Sequence, residues 1–320
     1  MKCECNQIIE SYPTLCVSLA QYRLIEMAGA DAEKYLQGQL TCDVTKLAVG
    51  DHTLTSHCDP KGKMSSLFRL YRAEQEKFIA VIHQSLLPEA LTQLKKYAVF
   101  SKITFSELDT PIYGVAAEQV AKLSEKLFVT SDEVTHGSAA VGKANVQKAV
   151  PFVTALTISE GQKRAFVWGE TLETNADESL WTLMDIQDGI PVLVKENQFE
   201  LIPQAANLQQ IEAAISFTKG CYIGQETVAR AKYRGANKRA LFTLAGQYEG
   251  EISLPEPASA VEMQLGENWR ATGTILACET HKNTLWVQVV LNKEVEVENQ
   301  FRVNGVNLKI VELPYSLEEE

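Results

Sequence analysis

The chain has 320 residues, enough for two or three domains, and its 45% hydrophobic, 22% charged and 8% aromatic content excludes a disordered or fibrous protein. No apolar run approaches the ~18–20 residues a membrane span needs, and MKCECNQIIESYPTL lacks the unbroken apolar core of a secretory leader, so the expected location is cytoplasmic. A net charge of −11 argues against a surface built throughout for nucleic acid.

In chain order, YRLIEMA at 22–28 reads as a strand and GADAEKYLQGQL as a turn and helix, with Asp31 as its cap and Ala32, Tyr35 and Leu36 on one face. Residues 52–58, the turn Asp59-Pro60-Lys61-Gly62 and MSSLFRLYR at 64–72 predict a hairpin. FIAVIH at 78–83 is a third strand, LLPEALTQLKKYAV at 86–99 a helix and ITFSEL at 103–108 a further strand. That order suits a ferredoxin-like α+β unit over about 50–110. A second such unit is expected from flanking segments: IYGVAA at 112–117, a helix near 118–127, KRAFVWG at 163–169 and a helix near 178–186. From about Leu241, LFTLAG, WRATGTILAC, TLWVQVVL and FRVNGVNLKIVEL are short strands between Gly, Asn and Pro, the pattern of a small antiparallel barrel. The expected division is therefore a body over 1–236 and a barrel domain over 237–320, ending in a disordered acidic tail, SLEEE.

Seven cysteines suit a reducing compartment. Cys3, Cys5, Cys16, Cys42, Cys58 and Cys278 have no paired, ligand-like spacing, so no metal site is expected. Cys221 differs from them. It lies in FTKGCYIGQETVAR (217–230), before a helix expected from about Gln225 to Tyr233 with Gly235 as its stop. The positive end of that helix and the Lys219 cation would both favour a thiolate, while Gly220 and Gly224 would let a ligand approach main-chain N–H groups. A tight turn around a buried cysteine is the competing reading. Residues 217–240 carry Lys219, Arg230, Lys232, Arg234, Lys238 and Arg239 against Glu226, a local +5 in an acidic chain. This is either a site for a local anion or a solvated helix face.

The run K-G-C-Y-x-G-Q-E, with ARAKYRGANKRAL after it and IPQAANLQ (202–209) before it, resembles the YgfZ family. GADAEKYLQGQLTCDV (29–44), HCDPKGKM (57–64), LKKYAVFSK (94–102), GENWRATGT (266–274) and LPYSLEE (313–319) resemble it too, so the likeness spans nearly the whole chain. The resemblance implies an α+β fold like that of the aminomethyltransferase (T protein) of the glycine cleavage system. This is a three-domain ring of two ferredoxin-like units and a C-terminal antiparallel β-barrel around a folate site. It also implies a role in the upkeep of iron–sulfur enzymes, and through them in tRNA modification. The implied cofactor is a reduced folate of the tetrahydrofolate kind, and the implied partners are iron–sulfur client enzymes. Cys221 matches the family's motif cysteine, framed by Lys219, Gly220, Tyr222, Gly224, Gln225, Glu226 and Arg230. Tyr22 and Trp181 match its folate-stacking aromatics, with Tyr22 where a tryptophan is common. Gln187 falls where T proteins carry a glutamate that reads the pterin edge, and two segments offer cations for a glutamate tail: residues 230–239, and 61–72 with Lys61, Lys63, Arg69 and Arg72.

Two other functions compete with a folate-binding maintenance factor. An aminomethyl or methyl transferase would need the acids of the T-protein hairpin, where this chain has Ser65 and Ser66, so a transferase of that type is not expected. A tRNA-binding module is disfavoured by the acidic total and by the want of aromatics among the basic residues, so direct nucleic-acid binding is not expected.

Overall fold

Three antiparallel sheets organise the chain, which the computed structural model describes at residues 12, 14–116, 152–155, 164–169 and 171–317. The first runs β3 (His52–Cys58), β4 (Met64–Glu74), β5 (Lys77–His83), β2 (Tyr22–Ala28) and β6 (Thr104–Leu108). The second runs β1 (Cys16–Ser18), β7 (Ile112–Ala116), β9 (Arg164–Trp168) and β8 (Phe152–Ala155). The third has seven strands: β12 (Asn268–Thr272), β11 (Val261–Leu265), β15 (Phe301–Val303), β16 (Val306–Val311), β10 (Arg239–Gln247), β14 (Thr284–Asn292) and β13 (Thr274–His281). Four α-helices are described: α1 (Ala32–Gln37), α2 (Leu87–Lys96), α3 (Ser179–Asp188) and α4 (Gln225–Tyr233).

Side chains alternate along a strand, so a strand covered on both faces reads as one apolar run. FIAVIH is such a strand. Phe78, Ala80 and Ile82 enter one core with Met27, Leu36 and Leu94, while Ile79 and Val81 enter another with Leu24, Phe166 and Met184. The third sheet shows the same division. Phe242 and Leu244 of β10 pack inside the barrel, whereas Leu241, Leu276 and Val290 join the body's core. Each such side chain is worth about 1.5–3 kcal/mol when removed from water, so these three hold barrel and body together.

The hairpin of β3 and β4 forms as expected, and Asp59 Oδ1 closes its turn by accepting from the N–H groups of Lys61 and Lys63 at 2.9 and 2.8 Å. Several expectations need correction. Asp31 stands at the start of α1 without capping it, because its carboxylate accepts the Lys102 N–H at 2.7 Å instead. The first sheet takes β2 into its middle, between β5 and β6, so the expected start of that unit near residue 50 falls inside the sheet. WRATGTILAC breaks into β12 and β13 at Gly273, where φ is +72° and a Cβ would lie 2.5 Å from Leu291 Cδ2. The short strands β1, β8 and β11 were not among the expected ones, although VEMQL of β11 alternates apolar and polar residues. The helix expected near 118–127, Cys3, Cys5 and residues 318–320 of the acidic tail lie outside the described residues, while Leu317 packs against the barrel core.

Candidate functional site

Strands β3, β4, β5 and β9, the N-terminal end of β2, helix α3 and the loop at 190–193 line a half-open cavity of about 60 Å³. Tyr22, Phe68, Phe166 and Trp181 supply its aromatic wall, and Arg69, Arg164 and Asp185 its charges. The fold thus brings together Tyr22 and Trp181. Phe166 joins them, its ring centroid 5.8 Å from that of Tyr22 and 5.1 Å from that of Trp181. Gly114 of β7 makes room for the indole, since a Cβ there would lie 2.4 Å from Trp181 Cε3. Tyr22 is half-buried and can offer a ring face. Trp181 is only 1% exposed, so it forms the cavity wall rather than an open stacking platform, and its Nε1 has no hydrogen-bond partner among the described residues.

Gln187, expected to read a ligand's edge, is buried and does not line the cavity, whereas Asp185 does. At about 100° per residue, Trp181 and Asp185 share one face of α3, and Gln187 is turned by roughly 200° from Asp185. Arg164, fully buried, holds two acids: Asp185 Oδ1 at 2.7 Å from Nη1 and Asp188 Oδ2 at 3.1 Å from Nη2. Its Cζ lies 4.7 Å from the Trp181 ring centroid. Burial raises the Asp185 carboxyl and pushes Asp188 up to about 6, against the pull of Arg164. One guanidinium facing two carboxylates leaves acceptor capacity turned toward the cavity. The signal for this cluster was present in the sequence as charged residues inside the apolar runs KRAFVWG and SLWTLMDIQD. Without a fold, each reads as an ordinary surface charge.

The second expected supply of cations does not gather at the cavity. Of Lys61, Lys63, Arg69 and Arg72, only Arg69 lines it, already paired with Glu212 at 2.8 Å and with His52 Nδ1 at 3.0 Å. Arg72 is buried against Glu33 and the carbonyls of Leu47 and Gln75. Ser65 and Ser66 are fully buried, and neither lines the cavity. Ser65 Oγ lies 2.8 Å from His57 Nδ1 and donates to the His57 carbonyl, while Ser66 Oγ has no partner among the described residues.

Cys221 lies elsewhere, exposed, four residues before the first residue of α4 and outside the cavity lining. The buried-turn reading is therefore overturned. Gly224 caps α4 at φ +82°, and a Cβ on it would lie 2.6 Å from Asp59 O and 2.9 Å from Gly62 Cα. At Gly62, with φ +77°, a Cβ would lie 2.6 Å from Thr227 Cβ. These two glycines let the hairpin turn and the helix start touch backbone to backbone, so Gly224 serves packing rather than ligand approach. Gly220 has open space around it.

Lys219, expected to serve the Cys221 thiol, donates instead to the carbonyls of Leu40 and Cys42 at 2.8 and 2.7 Å. Burial pushes its ammonium down to about 8. Its Nζ also sits 5.0 Å from the Tyr222 ring centroid, and the Tyr222 N–H donates to Gln225 Oε1 at 3.1 Å. Glu226 pairs with Arg230 one turn on. Burial pushes the thiols of Cys42 up to about 11 and of Cys58 and Cys278 up to about 12. Cys221 is thus the exposed thiol among the described residues. Against the expected want of aromatics among the basic residues, α4 ends on Tyr233, which is 66% exposed.

Comparison with known proteins adds four findings. The family described as "YgfZ, beta-barrel domain" matches residues 237–306. An "Uncharacterized protein" of Haemophilus influenzae is 47% identical over 308 residues, covering 95% of this chain and 99% of that protein. A "tRNA-modifying protein YgfZ" of Yersinia pseudotuberculosis is 41% identical over 318 residues, covering 96% of this chain and 94% of its own length. Among solved structures, the glycine cleavage system aminomethyltransferase T from Bartonella henselae superposes with a TM-score of 0.66 at 13% identity, over 94% of this chain and 86% of that one. At that identity the likeness speaks for the fold alone.

Proposed function

The chain belongs to the YgfZ family, and from that premise we propose that its cavity binds a reduced folate and that the protein supports iron–sulfur enzymes, and through them tRNA modification. The observation that carries this reading is the convergence of Tyr22, Phe166 and Trp181 with a buried carboxylate, Asp185, at one half-open cavity. Cofactor sites pair apolar walls with a few fixed polar groups. A pterin is flat, with a polar edge that both donates and accepts. Asp185 would accept from its donors, the unpartnered Trp181 Nε1–H would donate to an acceptor, and Tyr22 and Phe166 would cover apolar ring area. Arg69 would remain on Glu212 while presenting charge to the glutamate tail. A reduced folate, when bound, supplies a carrier for one-carbon units. Cys221 would act separately, as an accessible sulfur beside the positive end of α4.

A transferase of the T-protein type is the weaker reading. Ser65 and Ser66 are buried in the body, and the acid that does line the cavity, Asp185, is tied to Arg164. A general base needs a carboxylate free to reach the reacting proton.

Calorimetric titration with folinic acid tests the proposal. Wild type should bind saturably, Asp185→Asn about tenfold or more weakly, and Cys221→Ala as wild type. In cells lacking the protein, Cys221→Ala should nonetheless fail to restore tRNA thio-modification. Absence of saturable binding by the wild type, or equal binding by Asp185→Asn, would remove folate from this cavity.

A further inference from the structure

We propose that the surface formed by the β3–β4 turn and α4 docks RNA directly, with phosphates on its lysines and arginines and an unpaired base on Tyr233. Two basic segments that are remote in sequence become one face. The contact of Gly62 with Gly224 and Thr227 sets the turn, with Lys61 and Lys63, against the start of α4. Beyond the helix, Lys63 Nζ and Arg239 Nη2 donate to the same Glu200 carbonyl, at 2.8 and 3.3 Å. These cations crowd one another: burial, then the like charge of Arg239, lowers Lys63 from its ordinary range.

Lys61, Arg230, Lys232, Arg234 and Lys238 are exposed around this contact, with Lys232 turned by roughly 200° about α4 from Arg230 and so on the helix's other flank. The acid within 217–240, Glu226, is taken up by Arg230, while Asp59 and Glu200 stand beside Lys63 and partly offset its charge. Lys61, Arg234 and Lys238 have no side-chain partner among the described residues, so their charge is available to a ligand.

Tyr233 turns a charged face into one suited to RNA. It stands 66% exposed at the end of α4, with its ring edge-on to Phe217 at 6.5 Å. Lys232 Nζ lies over the same Phe217 ring at 4.2 Å. Cations that follow a backbone, interleaved with an open aromatic ring that a base can stack on, are the two requirements of single-strand binding. An acidic protein surface would use the cations and leave the ring without a purpose. The chain's net charge of −11 does not oppose this docking. Charge acts within a Debye length of about 8–10 Å at physiological salt, so the acidic remainder instead orients a polyanion onto this face. The proposal does not rest on the folate reading.

Fluorescence anisotropy with a labelled, unmodified tRNA transcript at several salt concentrations tests it. Wild type should bind with an affinity that falls linearly in log–log form with salt. The triple variant Lys61→Glu, Arg234→Glu, Lys238→Glu should bind at least about tenfold more weakly, with the slope flattened by about one for each phosphate it no longer neutralises. Tyr233→Ala should weaken tRNA and a stem-loop with an unpaired loop by roughly tenfold, and leave a blunt RNA duplex unchanged. Circular dichroism and urea unfolding of the same variants report their fold, so loss of RNA binding in a variant as stable as wild type belongs to this face. Unchanged tRNA binding by the triple variant overturns the proposal. So does a polyglutamate peptide that competes as well as tRNA while Tyr233→Ala has no effect, which would assign the face to an acidic protein.

Discussion

At the scale of single residues, His57 is held in a neutral state by its surroundings. It is 1% exposed, with Ser65 Oγ at 2.8 Å from Nδ1 and Gln39 Oε1 at 3.3 Å from Nε2, and burial pushes it down to about 4. The unfolded chain takes up this proton near the ordinary 6.5, the folded one only near 4. Between those values the unfolded state binds more protons, so stability rises with pH there. The contribution is fully present above about 6.5 and is lost as pH falls toward 4, a change of roughly 3 kcal/mol. His52, also pushed down to about 4 by burial and then by Arg69, adds a slope of the same sign. Asp188, raised to about 6, opposes it, because its folded carboxyl takes up a proton first as pH falls. Urea denaturation at pH 5 and pH 7.5 should therefore show a smaller acid loss in His57→Gln than in wild type. Equal losses would mean that the ring is solvated when folded.

At the scale of elements, the motifs that mark the family act largely as joints. Gly29 of GADAEKY admits the Lys102 carbonyl, which a Cβ would meet at 2.1 Å, and the Lys102 N–H returns to Asp31, so this motif is fastened to LKKYAVFSK. IPQAANLQ ties two elements. Gln204 Nε2 donates to Val228 O of α4, and Asn207 exchanges two hydrogen bonds with Leu241 of β10. Tyr315 of LPYSLEE donates to Gly189 O at the end of α3. The sharpest joint is Gly62 against Gly224. Gly224→Ala combines a left-handed φ with overlap on a carbonyl oxygen, and should destabilise by about 2 kcal/mol or more in urea unfolding. Gly220→Ala, in open space, should stay within about 0.5 kcal/mol of wild type. A Gly224→Ala protein as stable as the Gly220→Ala one would mean that the turn and helix do not bear on each other.

At the scale of the whole molecule, the third sheet holds one wall of the cavity. Gln288 of β14 donates to Ile190 O at 2.8 Å and accepts from the Val192 N–H at 2.9 Å, and Thr243 Oγ1 donates to Ile186 O at 2.7 Å. Ile190 and Val192 line the cavity, although Gln288 does not. Gln288→Ala leaves a buried donor and acceptor unsatisfied, a loss of about 1–3 kcal/mol. It should weaken folinic acid binding several-fold by loosening the loop while leaving tRNA affinity as in wild type. Unaltered folinic acid affinity would show that the loop holds its own shape.

The amino-acid sequence by itself determined the strands and helices that carry a local period, and the resemblance that runs through its motifs. It placed α4 at Gln225–Tyr233 and Cys221 just ahead of it, because helix formers, a flanking glycine and a stop are read from neighbours along the chain. The meeting of Tyr22 with Trp181 was legible only through family resemblance, since neither residue carries a local sign of its partner. Only the tertiary structure decided that Asp185 rather than Gln187 faces the cavity, that Arg164 neutralises buried acids, and that Lys219 bonds carbonyls instead of the thiol. It also decided that the turn carrying Lys61 and Lys63 packs against the start of α4, and that Lys63 and Arg239 meet at the Glu200 carbonyl. The physical reason is common to all of these. Periodicity and capping are interactions between near neighbours, which a linear pattern records. Burial, ion pairing and the merging of charge depend on which distant segments touch, and that is settled by packing.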